Sequence, residues 1–124
     1  MWKTVALAVA ICAIAAPHAQ ESDPRLTGLD AILDPYVRDG EVYYRALKSD
    51  RGKLDAYVSQ LAGAQIDRMS NDERLAFWLN AYNALVLRTV IDHYPIQGRS
   101  PDYPKVSIRQ IPGAFERLPH RVAG

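Results

Sequence analysis

The short stretch from Trp78 to Asn83 holds the residues with the most chemical potential in the chain. Asn80 and Asn83 fall in a helical pattern, where asparagine is a mediocre former. On a helical wheel Asn80 points into an apolar face and Asn83 lies at its border. Two roles are open to them. Each can bind loop backbone and fix the fold, because a buried amide left without a partner costs about 1–3 kcal/mol. Alternatively, one lines a pocket and polarises a substrate carbonyl, as an oxyanion-hole side chain does. Trp78 and Tyr82 lie one turn apart and read either as core aromatics or as the wall of a binding site.

His93 ends the same pattern. A cation there is favoured by the helix dipole and satisfies free carbonyls. Its charge can also change near neutral pH, so a general-base role is the alternative. His120 stands alone beside Pro119 and is expected to be exposed. Two separated histidines without HExxH-type spacing make a poor metal site, so no metal and no cofactor is expected. Ser70 reads as a helix cap, since no G-x-S-x-G context surrounds it. The carboxylates are scattered, and no acid/base pair stands out.

These residues need a helix to position them. Ser70-Asn71-Asp72-Glu73 is a capping-box pattern, with acids where the dipole favours them. The helix should run to Asp92 or His93, where Tyr94-Pro95 stops it. Leu75, Trp78, Leu79, Tyr82, Leu85, Val86 and Val90 share one face. Phe77, Ala84, Leu87 and Ile91 share a second, nearly opposite one, with Arg74, Arg88 and Asp92 between. Apolar on two sides, this element is expected to be a central buried helix over about 71–93.

Upstream, Ser22-Asp23-Pro24 starts a helix carrying Leu26, Leu29, Ile32 and Leu33 at helical spacing. Pro35 disturbs it, and Asp39-Gly40 signals a turn. Glu41 to Tyr44 follows as a short strand or extended segment. A further helix begins at Ser49 or Asp50 and buries Leu54, Tyr57, Val58 and Leu61 by one face, ending at Gly63. Residues 95–104 are a loop. Val106-Ser107-Ile108 forms a short strand or a helical turn, and Ile111-Pro112-Gly113 a turn. Arg121 to Gly124 resembles the start of a strand. The fold class is therefore a helix-rich α+β domain.

The first residues form a secretory leader. Lys3 supplies a positive start, Val5 to Ala16 is unbroken apolar sequence, and no acid precedes Glu21. The apolar run is shorter than the ~20 residues a membrane-spanning helix needs. Cleavage is expected after Ala19, with Ala15 as the alternative, so residues 1–19 are the signal peptide and 20–124 the domain. Cys12 reads as a buried leader cysteine, because Ile11 precedes it where lipidation wants a small residue. Cleavage removes this single cysteine, leaving no disulfide, thiolate ligand or thiol nucleophile. The protein is expected to be exported, to the periplasm or beyond.

The chain has 15 Lys+Arg and 14 Asp+Glu, and loss of Lys3 leaves 14 of each. A nucleic-acid binder normally carries a basic excess, so nucleic acid is not an expected partner. No long apolar segment remains to insert the mature chain into a membrane. A small molecule or a protein remains as partner.

The stretch Phe77-Trp78-Leu79-Asn80-Ala81-Tyr82-Asn83-Ala84, followed by Asp92-His93-Tyr94-Pro95, resembles the hallmark of domain of unknown function 547 (DUF547). Tyr43 to Leu47, Asp50 to Leu61 and Val106 to Ile111 are similar to it as well. The resemblance covers roughly residues 28–124. It implies that complete members continue past the equivalent of Gly124, with an acid-rich helix and a segment holding a histidine and paired cysteines. Two functions follow as expectations. One is a binding or scaffolding module without chemistry. The other is the N-terminal half of a hydrolase or transferase whose nucleophile lies beyond residue 124.

Overall fold

A computed structural model describes residues 24–116 and 120–124. The expected leader, its expected cleavage sites and Cys12 lie outside the described residues. Helix α1 spans Pro24–Leu33 and passes through a short helical turn, Asp34–Tyr36, into a hairpin of β1, Val37–Arg38, and β2, Glu41–Val42. Asp39 and Gly40 form its two-residue turn with φ of 53° and 80°. Positive φ at both central positions matches the right-handed twist of paired strands, which is why Asp-Gly occurs there. The antiparallel register pairs Val37 with Val42 and Arg38 with Glu41.

Two helices then follow where one was expected. Helix α2, Tyr44–Ser49, is separate from α3, Gly52–Leu61, with the break at Asp50 and Arg51. Tyr-Arg-Ala-Leu-Lys-Ser contains good helix formers. Its single fully buried residue, Leu47, shows no period from which a helix could be read. In α3 the expected stripe is the observed one: Leu54, Tyr57, Val58 and Leu61 are all buried.

Helix α4, Asn71–Asp92, packs against α1, α2 and α3. Its capping box is complete. The Glu73 amide donates to Ser70 Oγ at 3.3 Å, and the Ser70 amide donates to Glu73 Oε2 at 2.7 Å. Phe77, Ala84, Leu87 and Ile91 reach the core with Ala81, as the second apolar face required.

The other apolar face corrects the expectation of a helix buried between layers. Leu75, Trp78, Leu79 and Tyr82 are exposed, at 61%, 42%, 56% and 58%. Only the C-terminal part of that face, at Thr89 and Val90, is buried. Val90 there faces Ile96, Val106 and Ile108 of the chain that follows the helix. That segment turns back over the last turns of α4 and leaves the first turns bare.

Charged residues tie α3 to the end of α4. Arg51 pairs with Asp55 at 2.7 Å and with Asp92 at 2.7 Å, and Arg88 approaches Asp55 at 3.5 Å. Hydrogen bonding to the Arg51 guanidinium holds the Asp55 carboxyl below its ordinary value. The members are each about a third exposed or more, so the network orients the two helices more than it stabilises them.

The chain end corrects a second expectation. Residues 121–124 form no strand. Instead the Ala123 amide donates to the Leu61 carbonyl at 2.8 Å and the Gly124 amide to the Ala62 carbonyl at 2.9 Å. The last carbonyls of a helix lack partners within it. The tail supplies donors to those of α3, and Val122 packs against the core. Of the two readings of Val106-Ser107-Ile108, the helical turn is the observed one, placed slightly later at Ile108–Gln110.

Candidate functional site

Helix α4 presents the candidate residues in two places. The first is its bare outer face. Trp78 sits edge-on to the buried Phe77 ring, with centroids 5.3 Å apart and planes at 73°. That contact fixes the indole while leaving much of it in solvent. Tyr82, one turn on, is more exposed still, and Leu75 and Leu79 complete an uncharged stripe. The reading of Trp78 and Tyr82 as core aromatics is therefore overturned by their exposure. The energetic sense is plain: apolar area left in water forgoes about 25 cal/mol per Å² of burial.

Asn83 lies exposed at the edge of this stripe, whereas Asn80 is half-buried on the core side. The two amides therefore do not converge on one site. Asn80 is engaged by a neighbour. Replacing Asn80 with alanine should lower the unfolding free energy by about 1–3 kcal/mol, read from chemical denaturation, because its partner is orphaned. An unchanged midpoint would remove Asn80 from the framework of the fold.

The second place is the C-terminal end of α4. His93 caps the helix, and its backbone amide donates to the Val90 carbonyl at 3.1 Å. Its Nδ1 lies 2.8 Å from the Thr89 carbonyl oxygen. A carbonyl oxygen can only accept, so Nδ1 carries a proton and Nε2 is the atom left for other partners. Beside it, Lys48 donates to the Tyr94 carbonyl at 2.6 Å, and the Tyr44 and Tyr94 rings stand 6.0 Å apart. These contacts anchor the chain where it leaves the helix.

Beyond Tyr94 lies a loop that reading for catalytic motifs passed over. It brings Arg99, Ser100 and Arg109 alongside His93 around a cavity of about 440 Å³. Gln110 organises that loop. Its Oε1 accepts from the Arg99 and Ser100 amides at 3.0 and 2.9 Å, and its Nε2 donates to the Ser100 and Tyr103 carbonyls at 2.9 Å each. No sequence signal marks such a convergence, because Arg99 and Arg109 meet only through the fold of the intervening turn. A second cavity, of about 650 Å³, lies between the hairpin and this loop and is lined by residues such as Val42, Val90 and Val106.

His120 is exposed, as expected. Among the described residues, no group of three or more His, Cys, Asp or Glu is placed to hold a metal ion. Among them, too, no helix is long and apolar enough to cross a membrane.

Residues 66–117 match the family model described as protein of unknown function, DUF547. The resemblance carried by the Phe77–Ala84 and Asp92–Pro95 segments holds over that stretch. The similar segments at Tyr43 to Leu47 and Asp50 to Leu61 lie outside it. No curated protein and no solved structure matches the chain. Both the exposed stripe and the loop cavity fall within the matched residues.

Proposed function

We propose that this chain, which carries a DUF547 segment over residues 66–117, is an exported binding module that docks a protein through the outer face of α4. The observation that supports it is the uncharged stripe of Leu75, Trp78, Leu79 and Tyr82, held in solvent on a well-capped helix. Contiguous exposed apolar surface marks a place where something else binds. Aromatic side chains at helical spacing are the usual anchors of such contacts. The stripe has no cation to meet phosphate or an anionic headgroup, and its i, i+3, i+4, i+7 spacing suits a partner helix or other apolar protein face. The proposed occupant is therefore a polypeptide surface.

Export rests on the leader pattern of Lys3 followed by Val5 to Ala16. The intact mass of the protein recovered from the envelope or culture fluid of its source is expected to correspond to a chain beginning near Gln20. A mass retaining Met1 to Ala19 would overturn export by cleavage.

The bare stripe also favours a second reading. Longer members are implied to continue with further segments, and one of these would cover α4 as part of a hydrolase or transferase domain. A photo-crosslinking residue at Tyr82 separates the two. The first reading expects a covalent adduct with a different protein, absent when the crosslinker is moved to Lys53. Adducts confined to the protein's own chain favour the second. Adducts with lipid, or none, would overturn docking of a protein.

A further inference from the structure

We infer that the cavity at the C-terminal end of α4 binds a small oxyanion, a carboxylate or phosphate carried on a compact apolar body. It is separate from the outer face of α4 and does not depend on what docks there. The volume of about 440 Å³ lies in the range of small-ligand pockets. Its walls are of two kinds. Ile96 and Ile111 give an apolar side, while Arg99, Arg109 and His93 give a side of hydrogen-bond donors.

Among the described residues, no carboxylate lines this cavity. The ion pairs among the described residues involve neither arginine. The Arg109 guanidinium instead stands 5.6 Å from the centre of the Tyr103 ring, which orients the fork without neutralising it. Asp102 accepts from Ser100 Oγ at 3.1 Å and does not line the cavity. Two arginines that line one cleft, neither of them in an ion pair among the described residues, are matched by a planar or tetrahedral oxyanion, which guanidinium forks can grip bidentately. His93 Nε2, left over once Nδ1 is bonded to Thr89, adds a further polar atom at the rim.

The cleft is also preformed, which limits the ordering cost of binding. Gln110 staples the Arg99–Pro104 turn through hydrogen bonds to five backbone groups, at the amides of Arg99 and Ser100 and the carbonyls of Ser100, Tyr103 and Pro104. Gly98 closes the base of that turn. A Cβ there would lie 2.6 Å from Lys105 Cα and 2.6 Å from its carbonyl oxygen, so only glycine allows the two strands of the loop to approach so closely.

The test is calorimetric titration of the full chain with inorganic phosphate and, separately, with succinate, in a constant chloride background. Saturable one-to-one binding of at least one is expected, and the arm that saturates identifies the oxyanion. Arg99→Ala and Arg109→Ala should each weaken it about tenfold or more, since a charge-assisted hydrogen bond is lost. Arg109→Lys should recover only part, because the ammonium keeps the charge and loses the fork. Lys53→Ala, on α3 and outside the cavity lining, should bind as the parent does. In the parent itself, the Arg Nε–H resonances should shift during titration, which reads the site without any variant. Absence of saturable binding to both anions, unshifted Arg resonances, or an equal loss in Lys53→Ala would overturn the inference.

Discussion

Phe77→Ala should lower the unfolding free energy by about 3–5 kcal/mol, the usual cost of emptying a buried aromatic site. Phe77 is fully buried, the largest side chain in the core that is. It lies where α4 faces a cluster that includes Leu47, Leu54, Leu61 and Ile91 from three different helices. None of these helices can close the space alone, because each is held by others: α4 packs on α1, α2 and α3 together. The loss also removes the ring against which Trp78 rests. A domain of this size has roughly 5–15 kcal/mol of stability in total, so the variant should sit near the edge of folding. Each kcal/mol corresponds to about 4–8 °C of melting temperature for a domain of this size. A melting temperature lowered by less than about 4 °C would show that α4 is not packed into a solid core.

Leu79→Ala together with Tyr82→Ala should do the opposite: leave folding intact and abolish docking. Both side chains are more than half exposed. Alanine is the best helix former, so an exposed helical position loses little by the exchange. Surface substitutions of this kind usually stay within about 0.5 kcal/mol. Docking is another matter. A tyrosine that anchors an interface is worth about 2 kcal/mol or more, which is roughly thirtyfold in affinity. The crosslink from a probe at Leu75 should therefore vanish in the double variant while its melting curve overlays that of the parent. A retained crosslink would move the contact surface off the stripe, and a large drop in melting temperature would mean that the stripe is part of the core after all.

The contrast between these variants shows how far periodicity carries. Both apolar faces of α4 were legible as faces, and the capping box at Ser70 and Glu73 as a helix start, because these depend on neighbours within one or two turns. The same holds for the buried stripe of α3 and for the Asp39-Gly40 turn. Which of the two faces of α4 meets the core was not legible. Hydrophobic spacing states that a side is apolar and is silent on whether another layer is there to cover it. Hence periodicity places Phe77 in the core, and the core reading of Trp78 and Tyr82 fails because these rings stand in water.

The site residues divide along the same line. His93 at a helix end and Asn80 on the core side follow from position within one helix. The cleft does not, since Arg99 and Arg109 are joined only by the Gln110 staple and the close approach at Gly98. The leader pattern expected from Lys3 and Val5 to Ala16 is of the local kind too, being an order of charge and apolar residues.

What the amino-acid order determined alone is therefore helices α1, α3 and α4, the capping box of α4, the apolar sides of these helices and the family segment around Phe77 to Pro95. Each is a matter of residues a few positions apart, where backbone geometry decides who meets whom. Only the tertiary structure decided that one side of α4 is buried and the other bare, that the chain end supplies amides to α3, and that two arginines share a cleft with His93. These depend on contacts between residues far apart in the chain. Their energies arise from packing and desolvation of whole surfaces, which no local pattern encodes.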